Sequence, residues 1–169
     1  MDITKEEISM LKHIEQQVKA INTGRVMIAL READNGRCFA HTVGMTKVYP
    51  NLPELIVVGV DFQTSYMSLH LLIEYFQTMD TAQLDGDYTL ITDLLNMPIC
   101  IVKKDVYQID EAFHFGLAEA VSEALEYEFK LAQVVIPDTT GCFPWNPKCN
   151  EDWSRLQQGA YKLSGPRLC

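Results

Sequence analysis

The stretch that decides the fold is Arg25–Met45, which reads RVMIALREADNGRCFAHTVGM. Its first part, Arg25–Glu32, contains the apolar run VMIAL and is typical of a strand. The turn Asp34–Gly36 follows, and Asp, Asn and Gly are residue types that tolerate positive φ. The last part, Arg37–Met45, then returns as a second strand. Two strands joined by such a turn predict a β-hairpin, so the sheet to which they belong is antiparallel at this point.

Helices and further strands extend outward from the hairpin on both sides. Before it, a capping box at Thr4–Glu7 begins a helix that runs to Asn22, with apolar residues at spacings of three and four. After it, Leu55–Val60 is a continuous apolar run, which is typical of a strand covered on both faces. The remaining predicted elements are helices at 64–79 and 111–128, with strands at 88–92, 98–103 and 131–136. The residues expected on or near the inner face of helix 64–79 are Met67, Leu71 and Phe76.

This order of elements predicts the fold class. We expect a single compact α+β domain with a mostly antiparallel sheet packed with about three helices. The two strand–helix–strand passages can add one parallel pair. The predicted domain covers residues 1–158, including the N-terminal helix 4–22, and residues 159–169 are expected to form a loosely held C-terminal tail.

Composition and charge disfavour several classes of function. The 169 residues carry a formal net charge of -9 and a sequence pI of about 4.8, which disfavours binding to nucleic acid and to anionic membranes. The N-terminus lacks the basic-then-apolar layout of a signal peptide, and no apolar run is long enough to cross a bilayer, so we expect a cytoplasmic location. The five cysteines are odd in number and widely spaced, and we expect free thiols there.

Two blocks of sequence carry a family resemblance. They are Phe39–Val60, FAHTVGMTKVYPNLPELIVVGV, and Gln133–Pro147, QVVIPDTTGCFPWNP. Together they resemble the bacterial family catalogued as domain of unknown function 4262, whose members carry T-(V/I)-G-L, then P-E-L-I-V-x-G, then Q-V-V-x-P-D-x-x-G-x-F-P-W-x-P. The chain departs from that pattern at His41, Met45 and Ile136, where the family usually has Tyr, Leu and Trp. The resemblance implies a shared fold and pocket region, and it brings no established activity.

The loop Gln133–Trp145 is the predicted location of a ligand site. Pro137 and Pro144 restrict its backbone, and an aromatic-walled loop held by prolines is typical of a binding surface. Polar residues of the neighbouring motifs complete the predicted site. The predicted ligand-binding residues are His41, Thr42, Glu54, Gln133, Asp138, Phe143 and Trp145.

Each of these residues also has a structural interpretation. The two aromatic residues of the loop can fill the edge of the core, and Asp138 can cap a turn. Gln133 can pair with backbone groups, because an unpaired buried amide costs about 1–3 kcal/mol. Glu54 can clamp a loop N–H. His41 can act as a hydrogen-bonding or stacking wall, since related sequences usually have Tyr there.

Cysteine and histidine positions raise two further interpretations. Zinc accepts the ligand types found at Cys38, His41, Cys142 and Cys149. Cys142 with His41 or His114 has the residue types of a nucleophile and its base. The spacings are weak in both cases, and neither a GxGxxG nor a GK[ST] phosphate-binding loop is present. We predict no metal and no cofactor, and we assign no catalytic residue.

Three functions agree with these patterns. The preferred one is a non-enzymatic module that binds a small ligand or a peptide in a pocket near the Gln133–Trp145 loop. The second is a small hydrolase or transferase that uses Asp138, Glu54 and His41. The third is an acidic interaction or inhibitor protein that docks on a cationic partner. The sequence leaves homo-oligomerisation open in all three cases.

Overall fold

The computed structural model describes residues 4–94, 96–104 and 111–157. These residues contain six strands and five helices joined by loops. In chain order they are α1 (Lys5–Asn22), β1 (Met27–Glu32), β2 (Cys38–Val43), α2 (Met45–Val48), β3 (Glu54–Val58), α3 (Phe62–Gln77), β4 (Tyr88–Ile91), β5 (Ile99–Lys104), α4 (Gly116–Ala124), β6 (Leu131–Val135) and α5 (Glu151–Gln157). No helix within these ranges is both long enough and apolar enough to cross a membrane. The predicted tail 159–169 lies outside the described residues.

One mixed sheet contains these strands in the order β1-β2-β3-β6-β5-β4. The predicted hairpin is confirmed, with Met27 opposite Val43 and Glu32 opposite Cys38. Every neighbouring pair is antiparallel except β3 and β6, which run parallel. The predicted α+β class is therefore confirmed, and the one parallel pair joins two strands that are far apart in the chain. A parallel pair needs a long crossover connection, which α3, β4, β5 and α4 supply here.

Helices cover the sheet on both faces. On one face α3 packs over β1, β2 and β3, and its Leu69 shares a core cluster with Leu55. On the other face α4 packs over β2, and its Val121 shares a second cluster with Ile56. Successive residues of a strand point to opposite faces, so β3 contributes to both clusters and all five of its residues are buried. The continuous apolar run predicted this double coverage correctly.

The apolar face predicted for α1 is longer than the surface that buries it. The capping box forms as expected, with the Glu7 amide donating to Thr4 Oγ1 at 3.2 Å. Ile21 is buried, but Ile8 and Leu11 are 42% and 53% exposed. The periodicity therefore predicts the helix correctly, while the burial of its first half depends on whether another element covers it.

Two other helices differ from the prediction. The third predicted helix is shorter, because Phe115 caps its start and Glu126 adopts a φ of 56° just after its end. Its Phe115 packs into the core from the preceding loop instead. The placement of Met67 near the inner face of α3 is wrong, since this side chain is 45% exposed, whereas Phe76 is buried as expected. The inner face of α3 is built in part from two small residues, Ser65 and Ser68, which the apolar pattern does not reveal.

Gly59, just after β3, allows α5 to approach the sheet. Its φ is +73°, and a Cβ at this position would lie 1.9 Å from the carbonyl oxygen of Leu156 in α5. The same carbonyl accepts a hydrogen bond from Arg37 Nη2. Glycine satisfies both constraints, because it adopts positive φ readily and has no side chain to displace α5.

We expect Gly59→Ala to lower the free energy of unfolding by more than about 1 kcal/mol, because it combines an unfavourable φ with a backbone clash. Urea denaturation would measure the change. Gly36→Ala is the matched control, since Gly36 has a similar φ of +76° and a Cβ added there would meet no atom within 4 Å. An equal loss in both variants would contradict a specific role for the contact with Leu156.

Candidate functional site

The buried carboxylate of Glu54 holds three segments of the chain together. Its Oε2 accepts hydrogen bonds from Thr42 Oγ1 at 2.6 Å and from the Met45 amide at 3.1 Å. Its Oε1 accepts from the Gly44 amide at 2.9 Å and from the Tyr127 hydroxyl at 3.0 Å. The end of β2, the start of α2 and the segment before β6 therefore converge on the first residue of β3. Glu54 and these four donors form a hydrogen-bonded staple.

The chemistry of this staple is that of an ionised carboxylate. All four partners donate, and a carboxylate is an acceptor at both oxygens. Burial raises the pKa of Glu54, and the four hydrogen bonds act in the opposite direction. Burial and the neighbouring Glu54 also raise the pKa of Tyr127 far above its usual range, which keeps its hydroxyl protonated as a donor.

Two further features of the staple depend on the residue types at positions 42 and 44. The hydroxyl of Thr42 also accepts a hydrogen bond from the Leu55 amide at 2.8 Å. Gly44 has a φ of +88°, and a Cβ there would lie 2.6 Å from the side chain of Ile21. The T-V-G and P-E-L motifs are thus two halves of one hydrogen-bonded unit. The contacts of Glu54 agree with the interpretation that its carboxylate clamps a loop N–H.

His41 packs inside the protein as a neutral aromatic ring. It is 1% exposed, stacks on Phe39 with centroids 5.9 Å apart, and meets Phe115 edge-on at 5.2 Å. Burial lowers its pKa to about 4, although a hydrogen bond with the Thr42 carbonyl opposes this shift. That bond joins Nδ1 to the carbonyl oxygen at 2.9 Å, so Nδ1 carries the proton. The other nitrogen, Nε2, is buried and has no hydrogen-bond partner within the described part of the chain.

Gln133 lies in the same row of the sheet as His41. Strand register pairs His41 with Ile56 and Ile56 with Gln133, so the three side chains share one face. The Gln133 amide donates to the carbonyl oxygen of Gln157 at 2.6 Å. The side chain of Gln157 in turn accepts from the Ile136 amide at 2.9 Å and donates to the Ile136 carbonyl at 2.5 Å. These contacts attach the end of α5 to β6.

The carboxylate of Asp138 organises the loop that follows β6. Its Oδ1 accepts from the Thr140 amide at 2.9 Å, the Thr140 hydroxyl at 2.6 Å and the Cys142 amide at 3.0 Å. Its Oδ2 accepts from the Asn150 amide at 2.8 Å. Burial tends to raise the pKa of Asp138, but hydrogen bonds from Thr140, Asn150 and Cys142 outweigh it and hold the pKa well below its usual range. The P-D-x-x-G motif is therefore a turn closed by its own carboxylate.

The two aromatic residues of the loop, Phe143 and Trp145, pack against β5 and β6. Phe143 is 2% exposed and packs with Cys100, Val102 and Val135. Trp145 is half-buried and stacks on Phe143, with ring centroids 4.9 Å apart and planes 6° from parallel. The core-edge interpretation of the two rings describes these contacts.

A groove opens beside this loop, between α3 and the segment that leaves β6. Its volume is about 370 Å³. The apolar walls come from Met67, Met97, Ile136, Pro137 and Trp153. Gln63 and Thr139 add an amide and a hydroxyl to the lining, and Asp138 also borders it. The indole nitrogen of Trp153 donates to the Ile136 carbonyl at 3.0 Å, so the ring is held in place along one wall.

The seven predicted site residues occupy separate places instead of one common pocket. Thr42 and Glu54 belong to the staple, His41 and Gln133 share a row of the sheet, and the two aromatic residues of the loop stack on each other. Of the seven, Asp138 borders the groove described above. Their role in ligand binding stays a prediction.

Sequence reasoning missed three residues of the groove wall, Met67, Met97 and Trp153, whereas Ile136 and Pro137 belong to the loop predicted to border a site. The apolar pattern places Met67 near the inner face of α3, and Met97 follows a short strand without any motif around it. Trp153 is one of only two tryptophans in the chain, which is the one available signal. Among the described residues there is no group of three or more His, Cys, Asp or Glu placed to hold a metal ion. Burial raises the pKa of the Cys100 thiol to about 11.

These observations define the class of protein: an α+β domain whose motifs form internal hydrogen-bonded units and whose β6 end borders an apolar groove. The family model described as Domain of unknown function (DUF4262) matches residues 19–150, and the chain belongs to this family. The match covers all six strands, and it ends before α5 with its Trp153. No curated protein and no solved structure matches the chain.

We expect Glu54→Gln to lower the free energy of unfolding by about 2–4 kcal/mol. In either orientation of the new amide, its NH2 group would face a backbone N–H that now donates to the carboxylate. Urea denaturation at pH 7 would measure the loss. Glu15→Gln, at an exposed position of α1, should change stability by less than about 0.5 kcal/mol. Equal stability of the two variants would show that the staple contributes little.

The buried His41 should make the protein less stable in acid. The unfolded chain protonates this residue near its ordinary pKa of 6.5, whereas the folded protein does so at about 4. Between these values the unfolded state binds more protons, so stability falls as the pH falls through that window. His41→Phe should remove a loss on the order of 3 kcal/mol between pH 7 and pH 4.

The measurement is the free energy of unfolding across this pH range for wild type and for the variant. Both proteins contain Glu54, so its contribution to the pH dependence cancels in the comparison. His13→Phe, at an exposed position of α1, should keep the pH dependence of wild type. A His41→Phe protein with the wild-type pH dependence would contradict a buried neutral imidazole.

Proposed function

We propose that this protein is a non-enzymatic binding module that holds a small, largely apolar molecule in the groove between α3 and Ile136–Thr139. The observation that carries the proposal is the convergence of five apolar side chains on one groove while two of them stay open to solvent. Met67 and Met97 are 45% and 38% exposed, although both are large apolar residues. Adjacent exposed apolar side chains are a common mark of a binding surface.

The size and chemistry of the groove favour a small molecule. A volume of about 370 Å³ lies within the roughly 300–1,000 Å³ typical of small-ligand sites. Methionine side chains are flexible and polarisable, so they adapt to irregular apolar ligands. The Trp153 ring offers a flat face for stacking, and its fixed hydrogen bond to Ile136 reduces the entropy lost on binding.

Polar groups at the rim supply orientation. Gln63 offers both donor and acceptor atoms, and Thr139 offers a hydroxyl. Thr139 follows Asp138, whose carboxylate closes the turn through four hydrogen bonds. The rim on this side is therefore preorganised, and binding need not order it.

The geometry gives less support to an acid–base enzyme built on Asp138, Glu54 and His41. Glu54 begins β3 beside Leu131, and Asp138 lies beyond the other end of β6. The five residues of β6 alone span roughly 13 Å, well beyond hydrogen-bond reach. Both carboxylates already accept four hydrogen bonds each, and His41 is enclosed by aromatic rings.

The test uses the neutral fluorescent probe N-phenyl-1-naphthylamine. In the Trp145→Phe protein, Trp153 is the single tryptophan, so energy transfer from its indole reports binding of the probe, and the methionine variants locate the bound probe. We expect saturable transfer. We expect Met67→Gln in this background to weaken binding about tenfold, because the lost apolar contact is worth about 1.4 kcal/mol.

Met10→Gln is the matched control. Met10 lies on α1, away from the groove, and is 48% exposed. The substitution therefore repeats the chemical change of Met67→Gln outside the groove. Its affinity for the probe should stay within twofold of the parent, a difference of about 0.4 kcal/mol. Absence of saturable transfer, or an equal loss in the two methionine variants, would overturn the assignment of the groove.

A further inference from the structure

A second pocket lies at the opposite end of β6 from the apolar groove. It has a volume of about 470 Å³. Three lysines line it: Lys103 and Lys104 at the end of β5, and Lys130 just before β6. The wall facing them comes from the loop Pro50–Pro53 and from Gln83.

This concentration of positive charge runs against the composition of the chain. The whole sequence has 14 Lys and Arg residues against 23 Asp and Glu. Three of the basic residues nevertheless share this one pocket. Like charges held close together repel each other, and an anion bound between them removes that penalty.

Sheet register explains why Lys103 and Lys130 meet. Lys103 pairs with Ala132 across the antiparallel β5–β6 ladder, whereas the next residue, Lys104, pairs with Leu131 and points to the opposite face of the sheet. Lys130 is two residues before Ala132, so it is the diagonal neighbour of Lys103 on the same face. Such neighbours have Cβ atoms within about 7–8 Å, and flexible lysine side chains converge easily over that distance.

Local contacts hold the pocket walls in position. The Thr46 hydroxyl donates to the Leu52 carbonyl at 2.8 Å, which fixes the loop Pro50–Pro53. The Lys103 amide donates to the Asp87 carbonyl at 3.1 Å, which fixes the end of β5. Lys130 pairs with Glu128 at 2.9 Å, but both side chains are more than half exposed. An exposed pair of this kind is worth little, so an incoming anion can displace Glu128.

We propose that this pocket binds the phosphate group of a small phosphorylated molecule. A phosphate monoester carries a charge of about −1.5 to −2 near pH 7 and so complements the neighbouring ammonium groups of Lys103 and Lys130 better than a single carboxylate does. The volume falls in the range of roughly 300–1,000 Å³ usual for small-molecule sites, which leaves room for an organic portion beside the phosphate. Asn51 and Gln83 supply amide groups for that portion.

Isothermal titration calorimetry with phenyl phosphate, at constant ionic strength and pH 7.5, tests the proposal. We expect saturable binding by the wild-type protein. The Lys103→Gln, Lys130→Gln double variant should bind about tenfold or more weakly, because charge-assisted contacts to phosphate are lost. Both lysines are exposed, so the variant should fold. The two single variants, each with a smaller loss, provide a second reading.

Three controls decide the interpretation. The Lys12→Gln, Lys19→Gln double variant makes the same change of charge at exposed positions of α1 and should keep wild-type affinity. Met67→Gln should also leave phenyl phosphate binding unchanged, which separates this site from the apolar groove. Benzoate, the carboxylate analogue, should bind more weakly than phenyl phosphate. No binding by wild type, equal binding of benzoate, or an equal loss in the two lysine double variants would overturn the proposal.

Discussion

The fold depends on one buried carboxylate. Burying an ion without partners is so unfavourable that Glu54 must find donors for both oxygens. It finds them in Thr42, Gly44, Met45 and Tyr127, which come from two separate parts of the chain. The hydrogen bonds to this single carboxylate therefore orient the end of the hairpin and the start of α2, and they hold the segment before β6 alongside β3.

The parallel pair of β3 and β6 has a pocket at each of its two ends. β3 and β6 start together at the Glu54 end, where Lys130 and the end of β5 border the lysine pocket. They finish together at the other end, where Gly59 admits α5 and the segment after β6 borders the apolar groove. The two proposed sites differ in chemistry, one apolar and one basic, and they lie a strand length apart.

The motif residues Asp138, Phe143 and Glu54 make their contacts within the protein. Asp138 closes its own turn, Phe143 fills the core edge, and Glu54 joins strands. Residues without a motif, such as Met67 and Lys130, line the two pockets in which we propose that ligands bind. A polar residue in a short, well-defined motif is therefore as good a sign of an internal hydrogen-bonded unit as of a binding site, since both need fixed geometry.

The sequence by itself determined the local elements: the capping box of α1, the Asp-Asn-Gly hairpin and the doubly buried β3 follow from spacing and turn chemistry within a few residues. It also predicted that Glu54 and Gln133 need partners, because a polar group buried without a hydrogen-bond partner destabilises any fold. Only the tertiary structure decided which partners these are. Tyr127 and Gln157 lie far along the chain from the groups they satisfy, and the lysine pocket exists because β5 and β6 pair in one register. Such contacts depend on strand order, which local periodicity does not encode.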